Sequence, residues 1–301
     1  MMDKSWIAPY IRPLAPRPTG LIPSGGLRRS PKALLFDIYG TLFISGSGGI
    51  GARSAEAFSK DDLEALLARY AIPGPARLLT ADLQQAIRRA HARLRGKGVD
   101  FPEIDIRRIW HGLLPDLNPE RIERFAVEYE MITNPVYPMP CLADLLAAAK
   151  ARNLALGIIS NAQFYTSHLF PWFLGRDLAQ LGVDPELVQL SFQSGHAKPS
   201  PVMFQALGRE LRARGISNAE VLYVGNDMEN DMRPAGAVGF QTALFAGDRR
   251  SLRLRGASPE SPIRGVDLVV SDLGQLMGHL TAIAGRYARV RRIPGCSRSR
   301  R

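Results

Sequence analysis

Four short stretches of this 301-residue chain carry side chains that could act together on an anionic substrate. They are FDIYGT with Asp37, Tyr39 and Thr41, ISNA with Ser160 and Asn161, AKPS with Lys198, and GNDMEND with Asn226, Asp227 and Asp231. Together they offer a carboxylate nucleophile, a hydroxyl donor, a cation and an acidic cluster whose hard oxygen atoms suit Mg²⁺. A carboxylate attacks a phosphoryl group only where the negative charge of the substrate is neutralised, and the cation and a bound metal would do that.

A rival signal overlaps the first stretch, because Gly46-x-Gly48-x-x-Gly51 matches a dinucleotide-binding glycine pattern. In such a fold the glycines form the turn directly between the first strand and a helix, with an acid about 20 residues further on. Here Gly46 comes nine residues after Asp37, and no strand follows at the required distance. The glycines fit better as a flexible connector on which a lid could move.

The elements that must position the polar residues are apolar runs. Residues 33–36 lack alternation, as expected of a strand buried on both faces of a parallel sheet, and 154–159, 187–192, 221–224 and 242–245 share that character, with 268–270 as a possible sixth. Helical patterns at 142–152, 201–214 and 230–238 lie between them. Alternating strands and helices predict a doubly wound parallel α/β sheet. In such a sheet ligands bind at the carboxyl ends of the strands, where Asp37, Thr41, Ser160, Asn161 and the 225–231 segment fall, with Lys198 in the stretch after the third strand.

The gap between the first two strands, about 115 residues, is too long for one crossover. It reads as helical, with Ser59 as a plausible N-cap before LEALLARY, followed by ADLQQAIRRAHARLRG and PERIERFAVEYEM. The expected organisation is therefore an extended basic arm at 1–32, an α/β core at 33–51 and 136–285, a helical insertion at 52–135 after the first strand, and an Arg-rich disordered tail at 286–301.

The net charge of +11 is concentrated at the ends: residues 1–32 carry +5 and 286–301 carry +7, leaving about −1 on 33–285. A core without basic excess argues against nucleic acid as the main partner. No apolar stretch reaches the ~20 residues that span a bilayer, and the start lacks the apolar segment of a signal peptide, so the cytoplasm is the default location. Cys141 and Cys296 are far apart and show no metal-ligand spacing.

The four stretches, in this order and at strand ends, resemble the motifs of the haloacid dehalogenase superfamily of hydrolases, and the helical insertion occupies the place of that family's cap domain. The resemblance covers about residues 33–255 and implies a Rossmann-like core. It implies an aspartyl-phosphate formed on Asp37, Ser160 bonding the transferring group, and Mg²⁺ held by Asp37, the main-chain carbonyl of Tyr39 and the acidic segment. Asn161 is a candidate substrate contact.

Two positions depart from the phosphatase pattern of that family. Tyr39 stands where a second Asp serves as acid and base, and a phenol of pKa near ~10 is a poor base near neutrality. Tyr is the habit of the family's metal-independent dehalogenases at this place. Asn226 stands where phosphatases carry their first metal-binding Asp, with Asp227 as a carboxylate that could replace it. The five-residue separation of Asn226 and Asp231 is that of the phosphatases. The expectation is thus a Mg²⁺-dependent phosphatase acting on a small phosphorylated metabolite, with a 2-haloacid dehalogenase-type hydrolase or a weakly catalytic ligand-binding protein as alternatives. His196, Trp110 and the arginines of 249–255 are open between substrate contact and ordinary surface or packing roles.

Overall fold

The computed structural model describes residues 6–48, 60–256 and 263–280. Its strands are β1 (Ser24–Gly25), β2 (Ala33–Phe36), β3 (Phe43–Ser45), β4 (Val136–Pro138), β5 (Ala155–Ser160), β6 (Val183–Leu190), β7 (Val221–Gly225), β8 (Gln241–Phe245) and β9 (Leu268–Val270). The helices are α1 (Lys60–Arg69), α2 (Ala76–Arg95), α3 (Ile106–Leu113), α4 (Pro119–Thr133), α5 (Leu142–Ala151), α6 (Leu169–Leu174), α7 (Ser191–Ser194), α8 (Val202–Ala213), α9 (Arg233–Ala237) and α10 (Leu273–His279).

Seven strands form one sheet in the order β1-β9-β8-β7-β2-β5-β6, parallel except for β1 against β9. Every residue of β2, β7 and β8 is buried, which is why these strands read as continuous apolar runs. Separate apolar clusters cover the two faces, one including Leu34, Phe36, Ile158 and Val224, the other Leu35, Ile159, Phe204 and Tyr223. The doubly wound α/β architecture expected from the sequence is what the chain adopts.

Register brings the strand ends level. Phe36 pairs with both Ile158 and Val224, so Asp37 emerges beside Ile159 and Gly225, with Ser160 and Asn226 one residue beyond. The ends of β6 differ from expectation: the strand starts at Val183 and stops at Leu190, and its polar Asp184 and Glu186 sit at a sheet edge, where such residues are tolerated. The helix expected over 230–238 is instead a π-helical turn, Met228–Met232, followed by α9.

Helices α1 to α4 lie between β3 and β4, which pair antiparallel as the two connections to the sheet. These helices bury their own cluster, including Leu63, Leu66, Tyr70, Trp110, Ile122, Phe125, Tyr129 and Ile132. On α4 the Ile122, Phe125, Tyr129 and Ile132 spacing forms one apolar stripe, and the Asn118 side chain caps the helix by accepting from Arg121 N, with Pro119 in the first turn. Trp110 is a packing residue, 1% exposed and edge-on to Phe125 and Tyr129. Ser59, Gly49 and Gly51 and the Arg-rich tail lie outside the described residues.

The described part of the N-terminal arm, from Trp6 onward, is tied to the core at both ends. Ile7 is wholly buried, Trp6 packs edge-on against Trp172, the amides of Arg28 and Arg29 both donate to Gln241 Oε1, and β1 extends the sheet.

Candidate active site

Asp37, at 6% exposure, is the centre of a buried polar cluster at the carboxyl ends of β2, β5 and β7. Its Oδ1 accepts from Ser160 Oγ at 2.8 Å and from Lys198 Nζ at 2.7 Å. Among the described residues no protein donor reaches Oδ2. Burial pushes the Asp37 carboxyl up to about 6, Lys198 opposing and Asp231 adding to the rise. Burial disfavours the Lys198 ammonium too, but Asp231 and Asp37 outweigh it and hold the group above its ordinary value.

Lys198 also meets Asp231 Oδ1 at 2.5 Å. The other oxygen of Asp231 accepts the amides of Asn226 and Asp227, both at 3.0 Å, and Tyr223 Oη, whose one proton is shared between Oδ1 at 2.9 Å and Ile159 O at 3.0 Å, stands beside the first. Asp231 is thus fully engaged by protein donors. Gly225 permits this, since a Cβ there would fall 2.5 Å from Asp231 Cγ. Asn161 fixes the backbone of Lys198 by accepting its amide at 2.7 Å and donating to its carbonyl at 3.2 Å.

Asp227 has a different environment. Its side chain caps the π-helical turn by accepting from the amides of Glu229 and Asn230, and Arg255 binds both carboxylate oxygens. Despite partial burial, Arg255 and these amides hold its carboxyl below the ordinary range. Asn226 donates Nδ2 to Ser251 O at 2.7 Å. Gly40, at φ +81°, lets Asn226 and Ser251 approach, because a Cβ would lie 2.3 Å from Asn226 Nδ2.

Tyr39 points away from this cluster. Its hydroxyl shares a 3.0 Å hydrogen bond with Thr166 Oγ1, and burial, with Glu130 and Asp37 adding, pushes the phenol well above its usual range. The ring lines a small cavity, with room for about one water, shared with Glu130, Asn134, Tyr165 and Trp172. Thr41 is fully buried, and its hydroxyl finds no partner among the described residues.

The oxygen atoms left for a cation are therefore few. Asp227 and Asp231 are taken up by protein donors, which leaves Asp37 Oδ2, the amide oxygen of Asn226 and the Tyr39 carbonyl as candidates. Among the described residues no group of three or more acidic, His or Cys side chains is arranged to hold a metal. One carboxylate with neutral oxygens still fits Mg²⁺ when an anionic substrate completes the charge, since this ion typically shares its sphere with substrate phosphates.

Several partners had no signal in the sequence reading. Thr166 and Ser251 are ordinary loop residues until the fold places them, whereas Tyr223 could have been noticed as a lone hydroxyl in a run buried on both faces. The arginines of 249–255 serve mainly to fasten the loop after β8. Arg250 pairs with Asp248 at 2.6 Å, Arg253 donates to the carbonyls of Arg250, Leu252 and Gly48, and Arg255 binds Asp227. His196 bonds Ser194 O through Nδ1 on the loop before Lys198.

The chain is 29% identical over 228 residues to a phosphoserine phosphatase of Thermus thermophilus, covering 74% of this chain and 76% of that protein. It is 34% identical over 91 residues to a ribulose-1,5-bisphosphate 5-phosphatase of Halopiger xanaduensis, covering 30% of this chain and 37% of that protein. In fold it is similar to a 2-haloacid dehalogenase of Pseudomonas syringae pv. Tomato, with TM-score 0.53 and 20% identity, over 83% of this chain and 98% of the other. The family model for haloacid dehalogenase-like hydrolases matches residues 31–239, more than half of the chain, and the protein belongs to that family.

Proposed function

We propose that this hydrolase acts as a phosphatase on a small phosphorylated metabolite, with Asp37 as nucleophile. The observation that carries the reading is the state of the Asp37 carboxylate: Oδ1 is fixed by Ser160 and Lys198, and Oδ2 has no donor among the described residues. Attack by Oδ2 on phosphorus forms an aspartyl-phosphate as the ester P–O bond breaks, and the departing oxygen takes a proton from water. Water then adds to phosphorus, the Asp37–phosphorus bond breaks, and phosphate leaves with the carboxylate restored. Ser160 is placed to hydrogen-bond the transferring group, and the Lys198 charge offsets the negative charge of the phosphoryl oxygens. Asn161 keeps the lysine backbone in place and is a candidate substrate contact.

Asp37, Asn226 and the Tyr39 carbonyl are the groups that would hold Mg²⁺, whose charge would neutralise the phosphoryl oxygens. Asp227 and Asp231 act in this reading through Arg255 and Lys198. The helical insertion, 52–135, is assigned as a cap that selects the substrate, on a core formed by 33–51 and 136–285. Contacts near Lys198 support that role: Ala197 N donates to Phe101 O at 2.7 Å and Glu103 N to Gly195 O at 3.0 Å. No helix among the described residues is long and apolar enough to cross a membrane. The core without basic excess favours a small-molecule substrate over a nucleic-acid partner, and a cytoplasmic location is part of the same proposal.

Tyr39 favours a second reading, metal-independent cleavage of carbon–halogen bonds by the same Asp37. A hydroxyl committed to Thr166 and raised in pKa supplies no acid or base, which dehalogenation does not require. The test is hydrolysis of a generic aryl phosphate with Mg²⁺ and with excess chelator, using Asp37→Asn as the blank, followed by halide release from 2-haloacids. Metal-stimulated phosphate release, lost by about 10³-fold or more in the variant, is expected. Halide release without phosphate release would overturn the phosphatase reading.

A further inference from the structure

The Lys198 ammonium has three N–H donors and four protein acceptors within reach. Asp37 Oδ1 at 2.7 Å and Asp231 Oδ1 at 2.5 Å take two of them. The third is divided between Tyr223 Oη at 3.2 Å and Ile159 O at 3.4 Å. The Cε–Nζ bond and the two carboxylates set the directions of the head, so the third N–H is left to these two acceptors, which hold Nζ against displacement from the carboxylates.

Tyr223 is built to be the stronger of those two. Its hydroxyl lies 3.0 Å from Ile159 O and 2.9 Å from Asp231 Oδ1, so it donates to one of them while offering a lone pair to the ammonium. The ring is wholly buried in the central strand β7, edge-on to Phe204 with centroids 5.0 Å apart. Neither rotation of the ring nor entry of bulk water can easily substitute for the hydroxyl. The residue lies beneath the cluster and not within the four sequence stretches, and its contacts span 25, 64 and 8 positions to Lys198, Ile159 and Asp231.

We propose that Tyr223 is a positioning residue for the hydrolytic reaction: its hydroxyl fixes the Lys198 ammonium between Asp37 and Asp231, keeping Asp37 Oδ1 anchored while Oδ2 attacks. This rests on the assignment of Asp37 as nucleophile. Removing only the hydroxyl leaves the longer Ile159 contact as the third acceptor, and the ammonium shifts toward it. The cost falls on turnover and not on substrate capture, because Tyr223 lies below the carboxylate and Lys198 has no spare donor for the substrate in this arrangement.

The test compares Tyr223→Phe with Phe204→Leu, using an aryl phosphate as the probe. Phe204→Leu disturbs the packing of the same ring and keeps the hydroxyl, so it measures what a merely structural role would do. We expect Tyr223→Phe to lower kcat about tenfold with KM within about twofold, the size of one lost hydrogen bond expressed in the transition state. Phe204→Leu, at an equal or larger loss of thermal stability, should leave kcat within about twofold. Unchanged kcat in Tyr223→Phe, or an equal fall in Phe204→Leu, overturns the assignment. If the wild type shows no turnover that depends on Asp37, the functional reading fails separately. Crystal structures of wild type and Tyr223→Phe then decide the positioning: displacement of Nζ toward Ile159 O by about 1 Å supports it, and an unmoved Nζ overturns it.

Discussion

The strand-end cluster and the helical insertion bury opposite kinds of residue. At the ends of β2, β5 and β7 the buried side chains are Asp37, Ser160, Lys198, Asn226 and Asp231, tied together by charge-assisted hydrogen bonds. In the insertion the buried side chains are mainly aromatic and aliphatic, with Trp110, Phe125, Tyr70 and Tyr129 packed edge to face, and the one buried acid of its helices among the described residues, Glu128, is paired with Arg69 and Arg124. Burying charge is costly unless each group finds its partner, so the first arrangement is one that function explains better than stability does. The insertion is held chiefly by its hydrophobic core.

The comparison can be broken most directly by removing one member from each region. Lys198→Met leaves two buried carboxylates without their shared cation and should destabilise the protein by about 3–5 kcal/mol. Trp110→Ala should cost a similar ~3–5 kcal/mol through a cavity. The two should differ in chemistry: chemical denaturation paired with aryl phosphate hydrolysis should find turnover abolished only in Lys198→Met at temperatures where both variants are folded. Equal loss of turnover would mean that the insertion is part of the reacting cluster and not only a cover for it.

A smaller effect sharpens the electrostatic side of the contrast. Because burial raises the Asp37 carboxyl to about 6, its protonated form gains population from that pH downward, and the protonated form is not a nucleophile. The ionised fraction then falls about tenfold for each further pH unit. The acidic limb of kcat/KM measured without added metal should lie near pH 6, and Mg²⁺ bound to the carboxylate should move it lower. A profile flat to pH 5 without metal would contradict this environment for Asp37.

The smallest effect concerns Asp227. Arg255 is half exposed, so its pair with Asp227 should contribute no more than about 1 kcal/mol. Arg255→Ala should therefore leave thermal stability nearly unchanged and free a carboxylate at the edge of the site. Titration calorimetry with Mg²⁺ in the presence of inorganic phosphate should then show affinity raised a few-fold. No change would mean that Asp227 faces away from the cation.

The buried parallel strands were legible because a strand covered on both faces must be apolar throughout, and the residues at their carboxyl ends are where a ligand can be reached. That logic put Asp37 and Ser160 at strand ends and singled out Lys198 and Asp231 in the stretches that follow, and the fold joins these four side chains by hydrogen bonds. It was less informative for β6, whose outer edge tolerates Asp184 and Glu186, and for the N-terminal arm, where Ile7 and Trp6 are apolar but lack periodicity. Tyr39 and Asn226 could be recognised as departures, yet not where their side chains go.

The sequence by itself determined the buried strands of the parallel sheet, the helical character of the long stretch between the first two of them and the polar groups that follow the strands, because hydrophobic period and turn chemistry are local properties. Only the tertiary structure decided which donor meets which acceptor. Asp231 is occupied by Lys198 and Tyr223, Asp227 is held by Arg255, and Tyr39 is turned toward Thr166. Hydrogen bonding is directional and short-ranged, so these pairings follow from the register of distant strands and from loop packing, neither of which a local pattern contains.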